Sequence, residues 1–111
     1  MAIVTASHAR IAAAGASLSA EDAEDLLATS GQLVDVRSPA DFHRDALPGA
    51  VNLPMDAISW RYRSLKRWRP VILYGNNVVY CQRAAQLLAG EGFSSIYYLA
   101  SNRTDRAGNS A

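Results

Sequence analysis

Residues 71–99 read VILYGNNVVYCQRAAQLLAGEGFSSIYYL and contain the elements that decide the fold. VILY at 71–74 is a continuous run of β-branched and apolar residues, which predicts a strand buried on both faces. After the segment GNNVVYC, the stretch QRAAQLLAGEGF predicts a helix to about residue 89, with Gly90 or Gly92 near its C-terminal cap. SSIYYLA predicts a last strand. Two strands joined through a helix indicate a parallel pair with a right-handed crossover.

The sequence before this unit also alternates helices and strands. Ser19, three residues before an acid, resembles a capping box and predicts a helix over 20–28. QLVDV predicts a buried strand over 32–36, and Pro39 behind Ser38 predicts a short helix over 39–45. LPGAVNLP at 47–54 predicts a turn, a brief strand and a second turn.

A further helix is predicted between LPGAVNLP and VILY. Asp56 is expected to cap this helix, and Ile58, Tyr62 and Leu65 recur at spacings of four and three residues, as on the buried face of a helix. These elements together predict a small three-layer α/β/α domain with a mostly parallel central sheet. We divide the chain into an N-terminal extension (1–15), the domain (16–99) and a polar tail (100–111).

Composition excludes several classes of protein. The 111 residues are 50% hydrophobic and 19% charged, which is typical of one folded domain. No apolar run approaches the roughly 18 residues that a membrane helix needs, and no secretory signal pattern is present. A single cysteine and two histidines supply neither a disulfide nor a metal site, and no cofactor-binding motif occurs. We therefore expect a cytoplasmic protein without metal, cofactor or membrane partner.

The charges are unevenly distributed. Five basic residues occur within nine positions, and a solvated surface is the interpretation that we favour over a site for nucleic acid or an acidic protein. We expect this cluster to add little to folding stability. Its members are Arg61, Arg63, Lys66, Arg67 and Arg69.

The order LVDVRSPADF, LPGAVNLP, VILY, QRAAQLLAGEGF and SIYYL resembles the rhodanese-like (sulfurtransferase) domain. The resemblance implies that Asp35 and Arg37 are structural residues after a central strand. It also implies that Pro48 and Gly49 form the turn into the next strand. Members of that family place a nucleophilic cysteine directly after the VILY-like strand, where it carries sulfur as a persulfide.

The residue after Tyr74 is Gly75, which has no side chain with which to attack a sulfur donor. The resemblance thus implies a non-catalytic binding or regulatory module whose partner is another protein or a small anion. We expect a six-residue loop over 75–80, in which the β-branched Val78 and Val79 disfavour a nest of inward-facing amides. Loop residues considered for anion binding are Gly75, Asn76, Asn77, Val78, Val79, Tyr80 and Cys81. The two asparagines either bind a ligand or form a tight turn, in which asparagine tolerates a left-handed conformation.

Cys81 supports an alternative hypothesis, because it is the only thiol available as a relocated sulfur carrier. Its position six residues beyond Gly75 predicts instead a small, partly buried cysteine on the helix flank. The resemblance also implies a covering helix after the last strand, which the tail SNRTDRAGNSA does not supply. We therefore expect residues 1–15, or the second subunit of a homodimer, to cover apolar surface near Ile96, Tyr98 and Leu99.

Overall fold

The computed structural model describes residues 16–99, in which five parallel strands form one sheet. The strands are β1 (Ala16–Leu18), β2 (Gln32–Asp35), β3 (Val51–Asn52), β4 (Val71–Tyr74) and β5 (Ile96–Leu99), and their order across the sheet is β1-β5-β4-β2-β3. The α-helices are α1 (Ala20–Thr29), α2 (Pro39–Asp45), α3 (Ile58–Arg61) and α4 (Val78–Gly90), and a 3-10 helix (Tyr62–Ser64) extends α3. The predicted fold class is confirmed. Every strand pair in this part of the chain is parallel.

Alternate residues of the central strands pack on opposite faces of the sheet. Val34 and Leu73 belong to the larger apolar cluster, which also holds residues of α3 and α4. Leu33 and Ile72 face the other way and pack with Ala23 of α1. The VILY strand is buried along its whole length, as predicted, because helices cover both faces of the sheet.

Local sequence signals explain the first two helices and one turn. Ser19 and Ser38 cap α1 and α2 by accepting hydrogen bonds from the backbone N–H groups of Asp22 and Asp41. The Ala50 N–H donates to the Leu47 carbonyl across Pro48-Gly49, and Gly49 has a φ of 81°. This conformation at the third residue of a turn favours glycine, which accounts for the predicted turn into β3.

Two predicted features of the region before β4 differ from the structure. Asp56 does not cap α3, because Ala57 occupies the capping position and the N–H groups of Ala57 and Ile58 donate to the Pro54 carbonyl. The predicted helix over 57–65 is one turn of α-helix followed by one turn of 3-10 helix. The expected apolar stripe is nevertheless confirmed, because Ile58, Tyr62 and Leu65 are all buried.

Strand β1 was not predicted, and its pairing with β5 changes the expected environment of the last strand. Ile96 is fully buried and packs in the larger apolar cluster of described residues. The cover from the extension or a second subunit stays a prediction. Tyr98 and Leu99 are half-buried. The extension (1–15) and the tail (100–111) lie outside the described residues, and so does any contact between them and the last strand.

Candidate functional site

A cleft formed by the described residues lies at the carboxyl ends of β2 and β4. These strands are neighbours, with Asp35 opposite Tyr74. The chain leaves β2 toward β3 on one side of the sheet and leaves β4 toward β5 on the other. The two connections therefore diverge between β2 and β4, and such a point is where open parallel sheets bind ligands.

Three connections line the cleft, which has a volume of about 470 Å³. The volume lies within the range of about 300–1,000 Å³ that is typical of small-molecule sites. The segment from β2 into α2 contributes Val36, Arg37, Ser38, Pro39 and Asp41. The segment from β3 to α3 contributes Pro54, Met55 and Asp56. The start of α4 contributes Asn76, Asn77 and Tyr80.

A buried ion-pair network supports the β2 side of the cleft. Arg37 donates from Nε and Nη2 to the Asp35 carboxylate, at 2.9 to 3.2 Å, and from Nη1 to Asp45 Oδ1 at 2.9 Å. The Asp35 carboxylate also accepts from the backbone N–H of Arg37. The side-chain bonds to Asp35 and Asp45 raise the pKa of Arg37 despite its burial. The Arg37 guanidinium lies 5.7 Å from the centre of the Tyr74 ring. Asp35 and Arg37 therefore hold the end of β2 in place.

The connection after β4 is shorter than predicted, because α4 already begins at Val78. Asn77 is extended (φ −137°) and caps the helix by accepting the Val79 N–H at 2.8 Å. The expected six-residue loop over 75–80 is thus wrong, and so is a left-handed conformation of Asn76 or Asn77, since no non-glycine residue of 16–99 has a positive φ. Val78 and Val79 are exposed on the first helical turn and do not fill the cleft.

Cys81 packs inside the domain and does not line the cleft. Its side chain is 3% exposed and belongs to the larger apolar cluster. Burial, together with the negative charge of Asp35, raises the pKa of the thiol to about 11. A Cβ atom at Gly75 would lie 4.0 Å from Cys81 Sγ and 3.0 Å from Val36 Cγ2. The sulfur is therefore close to Gly75 in space but separated from the cleft.

The structure thus brings only some of the predicted loop residues together at the cleft. Asn76, Asn77 and Tyr80 line it, whereas Gly75, Val78, Val79 and Cys81 do not. Sequence reasoning does not identify Asp41, Met55 and Asp56 as cleft residues. The rule that parallel strands present their carboxyl ends at one edge is the signal that could have found them.

The side chains of the basic cluster differ in whether they donate to backbone carbonyls. Arg69 donates from Nε to the Ser30 carbonyl at 2.8 Å and from Nη2 to the Gly31 carbonyl at 3.2 Å. Arg67 donates from Nε to the Glu91 carbonyl. Arg69 is half-buried, which corrects the expectation that the whole cluster is a solvated surface. The other four residues are exposed, as expected: Arg61, Arg63, Lys66 and Arg67.

This division predicts unequal effects of substitution. Arg69→Gln is expected to lower the free energy of unfolding by about 1–2 kcal/mol, because it removes charged donors from two carbonyl groups. The matched control Arg63→Gln is expected to change it by less than about 0.5 kcal/mol. Urea unfolding of both variants measures the difference. Equal effects would show that the Arg69 contacts add no stability.

The fold and the cleft define an open parallel α/β domain with a candidate ligand site where its connections diverge. The chain belongs to the Rhodanese-like domain family, because the model of that family matches residues 19–101. None of the described helices has the length and apolar character that crossing a membrane requires.

Similar proteins agree with this assignment. An uncharacterized protein of Bacillus subtilis, YqhL, is 40% identical over 68 residues, which are 61% of this chain and 54% of that protein. A sulfurtransferase of Allochromatium vinosum is 31% identical over 78 residues, which are 70% of this chain and 68% of that protein. The chain thus spans about half of the first relative and about two thirds of the second. The structure of a human single-domain sulfurtransferase superimposes with a TM-score of 0.70 at 18% identity, over 86% of this chain and 97% of that one.

Proposed function

We propose that this chain is a non-catalytic rhodanese-like domain that acts as a binding or regulatory module in the cytoplasm. Gly75, directly after β4, takes the position of the family's nucleophilic cysteine in this proposal. A glycine cannot carry sulfur, so the domain would retain the family's cleft without its covalent chemistry. The site, rather than the fold, decides this assignment.

The observation that carries the proposal is that no thiol lines the cleft among the described residues. Cys81, the only cysteine of the chain, is buried, and its pKa of about 11 keeps it protonated near neutral pH. The nucleophile in sulfur transfer is the thiolate. Cys81 therefore has neither the ionisation state nor the exposure that attack on a sulfur donor requires.

An assay of sulfur transfer from thiosulfate to cyanide tests the proposal. An active thiolate would take the outer sulfur of thiosulfate as a persulfide, release sulfite and then pass the sulfur to cyanide as thiocyanate. We expect thiocyanate formation at the background rate in the unmodified chain and in Cys81→Ser. Activity that is present in the unmodified chain and lost in Cys81→Ser would refute the proposal.

Gly75→Cys and Gly75→Ala complete the assay. We expect no activity from either, because alanine supplies no thiol and a cysteine Cβ at residue 75 would lie only 3.0 Å from Val36 Cγ2, so that its surroundings must shift. A misplacement of about 1 Å can cost a hundredfold in rate. Activity in Gly75→Cys alone would show that the cleft lacks only its thiol.

A sulfurtransferase that uses Cys81 is the second candidate function. Its support is the name of the Allochromatium relative and the 4.0 Å separation between Cys81 Sγ and a Cβ at Gly75. This candidate requires the first turn of α4 to open and expose the thiol. The Cys81→Ser assay distinguishes it from the binding module.

A binder of nucleic acid or an acidic protein is the third candidate. Trp60 and Trp68 are 66% and 77% exposed, and Lys66 Nζ lies 5.9 Å from the centre of the Trp68 ring. Exposed aromatic rings beside free cations are typical of stacking surfaces for single-stranded nucleic acid. Binding that weakens steeply with added salt, and that Arg61→Gln and Lys66→Gln reduce, would favour this candidate.

A further inference from the structure

We infer that the cleft receives a cationic side chain, an arginine or a lysine, from an apolar segment of a partner protein. The inference rests on the proposed function, since it names the ligand of the same cleft. It departs from the small anion that the resemblance suggested. Three features support this inference: the negative charge of the cleft, the bonded state of nearby N–H donors, and the apolar side chains at and beside the cleft.

The charge at the cleft is negative. Among the described residues, Arg37 is the only basic residue in the lining, and its Nε, Nη1 and Nη2 atoms already donate to Asp35 and Asp45. Asp41 pairs with the exposed Arg44 at 2.7 Å. Asp56 forms no ion pair with any described residue. The charged groups of the lining are thus one guanidinium, whose partners Asp35 and Asp45 lie outside the lining, and the carboxylates of Asp41 and Asp56. Asp56 is exposed and unpaired within the described residues, and it favours a cation.

Several donors that would hold an anion are bonded within the chain. The Val79 N–H donates to Asn77 Oδ1, and the N–H groups of Tyr80 and Cys81 donate to the Asn77 carbonyl. On the opposite side, the Asp41 N–H donates to Ser38 Oγ. The starts of α4 and α2 therefore offer an incoming anion fewer free amides than uncapped helices would.

The rim of the cleft indicates a protein partner rather than a free cation. Val78, Val79 and Tyr80 are each nearly half exposed on the first turn of α4, and Tyr80 also lines the cleft. Pro54 and Met55 contribute apolar lining on the side of Asp56. An aliphatic stem with a charged end matches this arrangement, because its methylene groups contact apolar surface while its head reaches Asp56.

Three blocked tripeptides serve as probes of the full chain. Their central residue, between two leucines, is arginine, norleucine or glutamate, and thiosulfate is the small-anion probe. Binding is followed by NMR titration of the amide signals of Asn76, Asn77 and Tyr80. We expect the arginine peptide to bind roughly threefold to tenfold more tightly than the norleucine peptide, as for one partly solvated charge pair. The glutamate peptide is expected to bind most weakly.

Variants separate the charge from the apolar contact. Asp56→Asn should abolish the preference for arginine over norleucine, whereas Glu24→Gln, which removes an exposed charge of α1 outside the cleft, should preserve it. Tyr80→Ala should weaken the binding of the arginine and norleucine peptides to the same extent, because it removes apolar contact and no charge. Equal affinities of the unmodified chain for these two peptides would overturn the inference. It would also be overturned if the amide signals of the cleft did not shift on titration, or if the glutamate peptide or thiosulfate bound more tightly than the arginine peptide.

The two proposals fail in different experiments. Sulfur transfer through Cys81 would refute the non-catalytic function whatever the peptides do. Failure of the arginine peptide, with sulfur transfer at background, would refute only the cationic ligand.

Discussion

Replacing Asp35 by alanine is expected to lower the free energy of unfolding by about 3–5 kcal/mol, because it leaves the buried Arg37 guanidinium without its main partner. Asp35 is fully buried, and its carboxylate accepts both side-chain and backbone bonds from Arg37. Asp45 remains as a second partner of Arg37 through Nη1, but its side chain is 46% exposed. A loss of this size is a large part of the stability of a small domain. Urea unfolding followed by circular dichroism measures it.

Two further variants separate the buried charge from the loss of contacts. Asp41→Ala breaks an exposed ion pair with Arg44 and is expected to cost less than about 1 kcal/mol. Combining Asp35→Ala with Arg37→Met removes both charges, and the double variant is expected to be more stable than Asp35→Ala alone. An Asp35→Ala chain that loses no more stability than Asp41→Ala would contradict the structural role of the network.

The elements that the sequence predicts best are those with strong local signals. The Ser19 and Ser38 caps define the starts of α1 and α2, since each hydroxyl accepts an N–H three residues later. The run VILY predicts β4 because a strand covered on both faces is apolar throughout. Such features depend on a few neighbouring residues, so they can be identified without the tertiary structure.

The errors at the start of α4 and at β1 have different physical causes. The family resemblance places Val78 and Val79 in a loop after β4. The Asn77 side chain is instead a local cap that starts the helix at Val78. Strand β1 has only three residues and is defined by its distant partner β5, so no pattern within it predicts a strand.

The candidate cleft was predicted only on its β4 side. The loop after β4 was considered because of the family resemblance, whereas Asp56 was assigned a capping role. The cleft also requires the approach of the β3–α3 connection to the ends of β2 and β4. This approach depends on long-range contacts such as the bond from the Met55 N–H to the Val36 carbonyl. The ligand charge could therefore not be inferred from the loop sequence alone.

Cys81 in the folded protein is expected to react with iodoacetamide at least about 100-fold more slowly than in the urea-unfolded chain. Burial raises the pKa of the thiol from its ordinary value of 9.0 to about 11, so the folded thiol yields far less thiolate near pH 8. The packing around the 3% exposed side chain slows the reaction further. Equal rates in the two states would show an accessible thiolate and would restore Cys81 as a candidate sulfur carrier.

The same pKa shift predicts how stability depends on pH. Below pH 9 the thiol is protonated in both the folded and the unfolded chain, and the stability is fully present. As the pH rises from 9 to 11, the unfolded chain releases the proton while the folded chain retains it, which lowers the free energy of unfolding by about 2–3 kcal/mol. Burial also raises the pKa of Tyr74 and Tyr97, but both remain in Cys81→Ala, so comparison with that variant isolates the thiol. A stability difference between the two proteins that stays constant from pH 8 to 11 would mean that the thiol titrates alike in both states, and the exclusion of Cys81 from sulfur chemistry would then lose its main physical support.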